Sequence, residues 1–387
     1  MAKGMNIESI KQLNRALVLQ QLATQDSCSR VEIARKINLS KMAISNIINE
    51  FLERGLLEAT DCNAHATRSA PLQLKLSAAA PHVLGILLHR NKCQAAVCNL
   101  HMQIIDSRSI SLPPKYTAEE LMDFIFSMTD KILQDYPDIL GIGIGSIGPV
   151  NAQSGVILNP PQFNHIQNLA IVELFHDRYH LPTYLDHHYN CAALAEYYYG
   201  GGKDCRNLLY LGMTSGISLG VICGGKLFSS HNGYSSEIGH VTVDCNGPVC
   251  NCGKRGCLTV YARPSHIAKA VAESPLIKQE MTFQEICDNS QIPAIDQILM
   301  NNMITPLIYA LSSTINLLNS DLILLGDDAA LLPERYLGYL EQRLNEVIFT
   351  HDYHHISVRR AMLSKEYNAA MCASTVIYQI FCGNLPF

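Results

Sequence analysis

The chain has 387 residues, of which 48% are hydrophobic and 16% are charged. This length suits two or three packed domains, and this composition excludes a mainly disordered chain. No apolar run approaches the roughly 20 residues that a membrane helix needs, and the N-terminus lacks the apolar core of a signal peptide. We therefore expect a cytoplasmic protein without membrane insertion, whose 14 cysteines are reduced or bind a metal.

The charge is unevenly distributed along the chain. Residues 1–76 carry 10 Lys and Arg against 7 Asp and Glu, a net charge of +3. The remaining residues carry 19 (29 − 10) against 27 (34 − 7), a net charge of −8. A basic segment joined to an acidic body indicates that the first part meets a polyanion; an uneven solvated surface is the alternative.

The first 76 residues predict three helices. An apolar stripe indicates a first helix over residues 5–24. Ser29 and Glu32 have the spacing of a capping box, which opens a short second helix. Ser40 caps a third helix, which has one apolar face and ends at Gly55.

Two short apolar runs, at 56–59 and 72–76, predict a two-stranded hairpin after these helices. Three helices and a hairpin are the layout of a winged helix-turn-helix, which places its third helix in the major groove of DNA. We therefore expect a DNA-binding domain over residues 1–77, called the head below.

The expected DNA contacts of the head lie on its second and third helices and at the hairpin tip. They are Arg30, Ser40, Lys41, Ala43, Ser45, Asn46 and Arg68. Lysine suits phosphate or guanine, asparagine suits adenine, the alanine methyl suits thymine, and serines suit phosphates. Arg30 is expected at the DNA backbone and Arg68 in the minor groove. For each of these residues, an ordinary solvated role is the alternative.

From Val83 onward, strand patterns alternate with helix patterns, which is typical of an α/β domain. Strands are expected at 83–88, 94–100, 140–144, 208–211, 218–223 and 322–325, and helices at 118–134, 190–199, 305–318 and 369–381.

The most specific chemical signal is one histidine and three cysteines within 18 residues. They are His240, Cys250, Cys252 and Cys257. One imidazole and three thiolates complete a tetrahedral zinc site, and Gly253 and Gly256 let the chain fold around the ion. Because four protein ligands leave no open position for water, the zinc is expected to be structural. Chance clustering is the alternative, and Cys245 is a spare thiol that could compete as a ligand.

At these residues the chain resembles the ROK proteins (repressors, open reading frames and kinases). The zinc signature of that family is Gly-His followed by Cys-x-Cys-Gly-x-x-Gly-Cys-Leu-Glu, and here it is Gly239-His240 followed by residues 250–259. Glu237 to His240 resembles the family's Glu-Ile-Gly-His sugar-contact element, and residues 148–150 resemble its Pro-Gly-Pro-Val-Asp loop. The resemblance covers almost the whole length.

The resemblance implies a two-lobed α/β body of actin-like, ribonuclease-H-like fold over residues 78–387. Its small lobe would span about 82–190 plus the C-terminal helix, and its large lobe about 191–365 with the zinc site. Members with an N-terminal winged helix-turn-helix repress sugar-utilisation genes. We therefore expect a repressor of operator DNA, a homodimer or homotetramer, controlled by a sugar or sugar phosphate between the lobes.

The family divides into sugar kinases and repressors, which differ at the phosphoryl-transfer positions. The kinases carry Asp-x-Gly-Gly-Thr after their first strand, where this chain has Leu87 for the Asp and His89-Arg90 for the glycines. Their Asn-Asp pair, whose Asp takes the proton of the sugar hydroxyl, is His187-His188 here. These replacements predict that the chain is not a kinase.

Two further kinase elements also differ from the family pattern. The adenosine-side Gly-Gly is Gly326-Asp327, and the second phosphate loop, at residues 214–220, keeps only some of its glycines. A shifted register, however, would place Asp186 at the position of the base. An active sugar kinase with a regulatory head is therefore one alternative, and a repressor controlled by a partner such as a transporter subunit is another.

The resemblance also implies the effector contacts. They are Asn159, Asn164, His187, His188, Glu237, His240 and Thr259. Glu237 would accept hydroxyl protons, and a zinc-bound His240 would turn its other ring nitrogen towards the ligand. Because two family carboxylates are replaced, by His188 and Thr259, the alternatives are a different or less polar ligand, or none.

Overall fold

The computed structural model describes residues 6–60, 72–228, 236–363 and 368–387. The chain divides into two compact units: unit 1 is Met1–His188 with Tyr367–Phe387, and unit 2 is Tyr189–Glu366. The head thus falls in the same unit as one α/β lobe. The boundary expected between residues 77 and 78 stays a prediction.

The head begins with three helices. They are α1 (Ile7–Ala23), α2 (Arg30–Ile37) and α3 (Lys41–Glu53). Each helix starts after a side chain that accepts a hydrogen bond from the backbone N–H three residues later: Asn6, Ser29 and Ser40. Ser29 and Glu32 complete the capping box, so this prediction is confirmed.

The sheet of the head differs from the expected two-stranded hairpin. Its strands are β1 (Cys28–Ser29), β2 (Leu57–Thr60) and β3 (Gln73–Leu76). β1 precedes α2 and pairs antiparallel with β3, so the described sheet has three strands in the order β1-β3-β2. The two-stranded prediction was incomplete because a strand of two residues is too short to show alternation. The hairpin tip, with Arg68, lies outside the described residues.

The lobe of unit 1 is built on a five-stranded sheet in the order β10-β7-β4-β5-β6. Its strands are β4 (His82–Leu88), β5 (Lys92–Cys98), β6 (Ile104–Ser111), β7 (Ile139–Ser146) and β10 (Thr183–His187); β8 (Val150–Asn151) and β9 (Val156–Ile157) form a separate hairpin. Strands β4 to β6 are antiparallel, whereas β7 runs parallel to β4 and to β10. The carboxyl ends of β4, β7 and β10 therefore share one edge, where α/β sheets usually bind ligands.

Three helices pack on this sheet. They are α4 (Ala118–Asp135), α5 (Ile171–Tyr179) and α13 (Asn368–Phe381). Helix α13 packs directly on the backbone of β4 and β7: a Cβ atom at Gly85 would collide with the carbonyl oxygen of Ala369, and one at Gly143 with that of Cys372. Only glycine allows this approach, so the two glycines fix the position of α13.

The segment at the end of α13 also contacts the head within unit 1. Gly383 lies against the backbone of Leu13 in α1. The ring of Phe387 packs edge-on against Phe51 of α3 with 5.5 Å between centroids, and Arg54 donates to the Phe387 carbonyl oxygen at 2.5 Å. Helix α13 and the segment after it therefore contact both the five-stranded sheet of unit 1 and the head.

The sheet of unit 2 repeats the same topology in the order β13-β12-β11-β14-β15. Its strands are β11 (Leu208–Met213), β12 (Ile217–Cys223), β13 (Lys226–Leu227), β14 (Leu322–Asp327) and β15 (Ser357–Arg360). Again three antiparallel strands are followed by two parallel ones. Each unit thus contains the same α/β arrangement.

The remaining helices belong mainly to unit 2. They are α6 (His188–Tyr199), α7 (Thr259–Ala262), α8 (Pro264–Ala272), α9 (Phe283–Asp288), α10 (Pro293–Leu299), α11 (Thr305–Leu318) and α12 (Glu334–Val347). In the described part of the chain, one helical run, Pro293–Leu318, is long and apolar enough to cross a membrane by length and composition. Half of its apolar window is buried, and the core helix of a globular domain meets the same criterion.

Candidate functional site

The start of α3 presents polar side chains to solvent. Lys41 and Asn46 are exposed, Ala43 and Ser45 are half-buried, and the Ser40 hydroxyl accepts a hydrogen bond from the Ala43 N–H at 3.2 Å. The opposite face of the helix is buried in the head through Ile44, Ile48 and Phe51. Lys41 and Asn46 are therefore available for the DNA contacts predicted from the sequence.

Two features of this surface were missed by the sequence analysis. Met42, beside Lys41, is 76% exposed, and a large apolar side chain on such a surface suits a thymine methyl group. The Arg30 guanidinium donates to the side-chain oxygen of Asn49 at 2.9 Å, which links α2 to α3. Arg30 therefore also positions α3, in addition to the predicted contact with the DNA backbone.

Three histidines meet at the strand ends of unit 1. His187, 4% exposed, ends β10, and its backbone N–H donates to Asp186 Oδ1 at 2.7 Å. His188 Nδ1 lies 3.1 Å from the carbonyl oxygen of Ser146 at the end of β7. The ring centroids of His187 and His188 are 4.4 Å apart, and that of His89, after β4, is 6.3 Å from His188. The structure thus places the predicted pair, His187 and His188, beside His89.

Burial keeps these imidazoles neutral. It lowers the pKa of His187 to about 4 and, with the charges of Lys92 and Arg90, the pKa of His89 to about 4. The pKa of His188 lies well below its ordinary value because the ring is buried and lies beside His187. At neutral pH these strand ends therefore present uncharged imidazoles, and His188 among them is the residue that the sequence analysis aligned with the kinase aspartate.

We expect these histidines to make the stability of unit 1 depend on pH. An unfolded histidine binds a proton near pH 6.5, whereas folded His187 does so near pH 4. Between these values the unfolded state binds more protons, so stability is complete above pH 6.5 and falls as the pH falls towards 4. For His187 the full loss is about 3 kcal/mol. Urea unfolding at about pH 7 and about pH 5 measures about 2 kcal/mol of this loss, because the rest develops between pH 5 and the folded-state pKa of about 4.

The matched variants for this measurement are His187→Gln and the exposed His355→Gln. The first should lose less stability than the wild type on acidification, because its buried side chain no longer titrates. The second should follow the wild type. An equal loss in wild type and His187→Gln would contradict the assignment of a neutral buried imidazole.

A cavity of about 860 Å³ lies beside the strand ends of unit 1, and Arg90 and Asn164 both line it. The Tyr116 hydroxyl donates to the Arg90 carbonyl oxygen at 2.8 Å and is hydrogen-bonded to the Asn164 side chain. Asn159 and Asn164 line a neighbouring cavity of about 250 Å³. The structure therefore brings the two predicted asparagines together on one loop, next to Arg90.

The residues of unit 1 that the sequence analysis compared with the kinase motif lie in its core and in a tight turn. Leu87, which was aligned with the kinase Asp, is 2% exposed. The backbone N–H of His89 donates to the Lys92 carbonyl oxygen at 3.0 Å and closes the turn between β4 and β5. A buried leucine provides no oxygen for a metal-nucleotide complex.

In unit 2, tyrosines cover the ends of β11 and β14. The Tyr189 ring lies on Gly212, and the Tyr210 hydroxyl lies on Gly326, so a Cβ atom at either glycine would collide with the tyrosine above it. The Tyr189 hydroxyl is 3.3 Å from the hydroxyl of Thr214, which begins the segment that the sequence analysis compared with the second phosphate loop. The sequence analysis missed Tyr189, although it directly follows the His187-His188 pair.

Asp327 has a backbone conformation that is typical of glycine, the residue with which the sequence analysis aligned it. Its φ is 49°, in the left-handed region that favours glycine. The position therefore has a glycine-type backbone but an acidic side chain.

The remaining predicted effector residues lie in unit 2. Glu237 is exposed and precedes a short 3-10 helix, Ile238–His240, and His240 is half-buried. Thr259, half-buried, begins α7, and the Leu258 N–H before it donates to the Val241 carbonyl oxygen at 2.9 Å. The backbone therefore joins the segment after His240 to the start of α7.

The four predicted metal ligands converge. The ligand atoms of His240, Cys250, Cys252 and Cys257 all lie within 4.8 Å of one another. His240 Nδ1 is 3.6 Å from Cys250 Sγ, and the sulfurs of Cys252 and Cys257 are 3.6 Å apart. Donors bound at about 2.0–2.3 Å to one tetrahedral ion are roughly 3.6–3.8 Å apart. The group can therefore hold a metal ion, and the exposed Cys245 lies outside it.

Local backbone geometry shapes this metal centre. Gly253 has a φ of 89°, and the Cys250 N–H donates to the Lys254 carbonyl oxygen at 2.7 Å. Gly256 has a φ of 62°, and a Cβ atom there would collide with the Asp244 carbonyl oxygen. The predicted role of these two glycines agrees with this geometry.

Comparison with known proteins finds two matching family models and several similar regulators. Residues 83–377 match the ROK family model, and residues 12–63 match the MarR family model. The chain is 26% identical over 385 residues to the putative xylose repressor of Caldicellulosiruptor sp. (strain Rt8B.4), with 95% of this chain and 96% of that protein covered. It is 27% identical over 293 residues to the DNA-binding transcriptional dual regulator NagC of Escherichia coli (strain K12), with 75% and 71% covered.

A solved structure supports the same fold. It is a ROK family transcriptional regulator, a homologue of the E. coli Mlc protein, with a TM-score of 0.82, 22% identity, and 97% of this chain and 98% of that chain covered. The expected architecture of a winged helix-turn-helix on an actin-like body is therefore confirmed. The chain belongs to the ROK family and carries a MarR-type helix-turn-helix segment.

Proposed function

We propose that this protein is a cytoplasmic DNA-binding repressor of sugar-utilisation genes, whose operator binding responds to a sugar or sugar phosphate. The exposed polar start of α3, with Lys41 and Asn46 above a fully buried apolar face, carries this proposal. A helix of this kind suits the major groove. The names of the two relatives, a xylose repressor and NagC, agree with it.

In this proposal the body does not transfer phosphoryl groups. The phosphate loop has a buried Leu87 in place of the Asp, and the position of the base is a neutral His188. The carboxylate of Asp327 would repel the negatively charged phosphates of a nucleotide. Tyr189 packs against Thr214 in the second phosphate loop. These features together favour a sensor over a kinase.

The effector contacts in this proposal are those expected from the sequence. They are Asn159, Asn164, His187 and His188 of unit 1 and Glu237, His240 and Thr259 of unit 2. Losing family carboxylates at two of these positions changes which hydroxyl groups can be recognised, and therefore the specificity. Control by a transporter subunit or another partner protein is the alternative for a chain that binds no carbohydrate.

Helix α13 is the proposed link between the effector and the DNA. It packs on the backbone of β4 and β7, whose carboxyl ends lie by the histidines, and the segment after it contacts Leu13 and Phe51 of the head. A ligand that favours one position of these strand ends would also favour one position of the head. Such an effector changes operator affinity if it binds more tightly to the chain with the head in one position than in the other.

The proposed metal is a structural zinc ion. His240 Nδ1 and the thiolates of Cys250, Cys252 and Cys257 would hold it, and four protein ligands leave no open position. When bound, the ion supplies a fixed crosslink between the segment at His240 and the loop of the three cysteines. Nδ1 faces the sulfurs, so Nε2 of His240 is the nitrogen that could donate to an effector.

The proposed active form is a homodimer or homotetramer. One head contacts one half-site and binds weakly, whereas two heads on half-sites about 10 base pairs apart, or a multiple of this, give useful affinity.

Selection of bound duplexes from a random DNA pool tests the proposed function. We expect a two-fold symmetric consensus. Asn46→Ala should lose about 1–3 kcal/mol of binding free energy and relax specificity at one base. Lys41→Ala should weaken binding to all DNA sequences by a similar factor, and it should reduce the slope of log affinity against log salt concentration by about 1.

The control for these variants is Lys131→Ala, which removes the same charge from an exposed residue of α4. It should bind the selected DNA as the wild type does. Equal losses for Lys131→Ala and Lys41→Ala, or a pool without enrichment, would contradict the assignment of α3 as the DNA-reading helix.

A further inference from the structure

The cavity of about 860 Å³ in unit 1 is formed by three segments that are separate in sequence. Arg90 and Asn91 come from the turn between β4 and β5. Lys115 comes from the loop between β6 and α4, and Gln162 and Asn164 come from the loop after β9. A cavity of this volume matches small-molecule sites, which are about 300–1,000 Å³.

The charge of this cavity is positive. Arg90 and Lys115 line it, and its one acidic lining residue among those described is Glu120. The Glu120 carboxylate accepts the Thr117 N–H at 2.8 Å in the capping box of α4, so it is already used by the start of that helix. This positive wall contrasts with the net charge of −8 outside the first 76 residues.

Arg90 is held in place rather than extended into solvent. Its Nε donates to the Pro161 carbonyl oxygen at 3.0 Å, and its own carbonyl oxygen accepts from Tyr116. The Tyr116 ring in turn packs edge-on against Phe163 with 6.2 Å between centroids. A guanidinium held in this way has a fixed orientation, and the planar guanidinium group can pair with two oxygens of a phosphate or a carboxylate.

The positive charge of Arg90 also reaches the strand-end histidines. It contributes to the lowered pKa of His89 and of His188. An anion bound at Arg90 would offset that charge, and the same ligand would have hydroxyl-binding side chains nearby, because Asn164 and Gln162 line the same cavity.

We propose that this cavity binds the phosphate group of a phosphorylated sugar, with Arg90 and Lys115 as the residues that distinguish the phosphorylated from the free sugar. The inference rests on the effector-controlled function proposed above and specifies its effector. The hydroxyl groups of the sugar would be bound by the amide side chains of the loop after β9.

Isothermal titration calorimetry on the full chain tests this inference. The probes are inorganic phosphate, glucose, xylose, N-acetylglucosamine, glucose 6-phosphate, xylose 5-phosphate and N-acetylglucosamine 6-phosphate. We expect at least one phosphorylated sugar to bind at least about tenfold more tightly than its free form, because its phosphate group would accept charge-assisted hydrogen bonds.

Four variants assign the effect to the cavity. Arg90→Gln should reduce the affinity for that sugar phosphate to about that of the free sugar, and the exposed Lys115→Gln should cause a smaller loss. Arg90→Lys should recover part of the affinity, because the charge remains without the planar fork. The control is Arg178→Gln, which removes the same charge from a residue paired with Asp130 of α4, and it should bind as the wild type does. If Arg90→Gln lowers the melting temperature, its loss of affinity could come from misfolding. The affinity of the exposed Lys115→Gln variant then decides whether the cavity binds the phosphate group.

The possible outcomes separate this inference from the proposed function. Free sugars that bind as tightly as their phosphates, or equal affinity in wild type and Lys115→Gln, would overturn the phosphate site and leave a sugar-controlled repressor. Inorganic phosphate binding alone, lost in Arg90→Gln, would support the site, whereas phosphate binding unaffected by that change would overturn it. If no probe binds and none changes the affinity for the selected DNA, both proposals fail.

Discussion

Gly143→Ala should destabilise unit 1 by about 3 kcal/mol or more, or prevent its folding. The added Cβ atom would collide with the Cys372 carbonyl oxygen and the Thr375 hydroxyl, both on α13. The Cys372 oxygen belongs to the backbone of a buried helix, so it cannot move aside as the end of a flexible side chain could. The midpoint of urea unfolding measures the loss. Gly85→Ala should behave alike, because its Cβ atom would collide with the backbone of Ala369 and Ala373.

The matched control is Gly216→Ala. A Cβ atom there has no neighbour within 4 Å, and the φ of Gly216 is not in the left-handed region, so stability should change by less than about 1 kcal/mol. If Gly143→Ala folds with the midpoint of the wild type, then α13 is not packed on the strand backbone. In that case its proposed role in linking the sheet to the head would also be contradicted.

Cys257→Ser should lose the proposed zinc ion and strongly destabilise unit 2. The Cys257 side chain is fully buried beside Cys252 in a four-ligand group, so serine would leave three ligands and a buried hydroxyl. Metal binding contributes directly to folding at structural zinc sites, by about 10–16 kcal/mol in small zinc-finger peptides. We expect about one zinc per wild-type chain by elemental analysis, far less in the variant, and a lower melting temperature.

Cys245→Ser provides the control for the metal centre. Cys245 is an exposed thiol in the same segment and lies outside the group of ligand atoms. This variant should keep its zinc and its melting temperature. Wild-type protein without zinc, or Cys257→Ser protein with one zinc per chain, would contradict the proposed metal centre.

The elements that the sequence predicted well depend on neighbouring residues. The capping box at Ser29 and Glu32 is a contact across three residues, and the helix after Ser40 follows from the same kind of local signal. The cluster of one histidine and three cysteines was predictable because all four residues lie within one short segment. In each case the spacing along the chain determines the distance in space.

The features that were missed depend on distant parts of the chain. The contact of Gly85 with α13 joins residues that are almost 300 positions apart, and the packing of Tyr189 on Gly212 depends on how α6 lies on β11. The positive cavity combines Arg90 with Lys115 and Asn164 from separate loops. Periodicity within one element gives no information about such pairs, because packing between elements decides them.

The two copies of the sheet topology also had no signal in the sequence. Strand order and direction agree between the sheets of units 1 and 2, yet the side chains differ, because an α/β sheet requires apolar strands and not particular residues. In unit 1, the edge strand β6 alternates half-buried and exposed residues along its whole length and was not predicted. Edge strands of this kind resemble solvated loops in composition.

The central claim is that the body senses a carbohydrate without phosphorylating it and controls the head. The most direct test is fluorescence anisotropy of a labelled selected DNA duplex, titrated with sugars and sugar phosphates, with ATP turnover followed in the same samples. We predict that one carbohydrate releases the DNA in the absence of ATP and that no sugar-dependent turnover occurs. Sugar-dependent ATP turnover that is lost in His188→Ala would contradict the account.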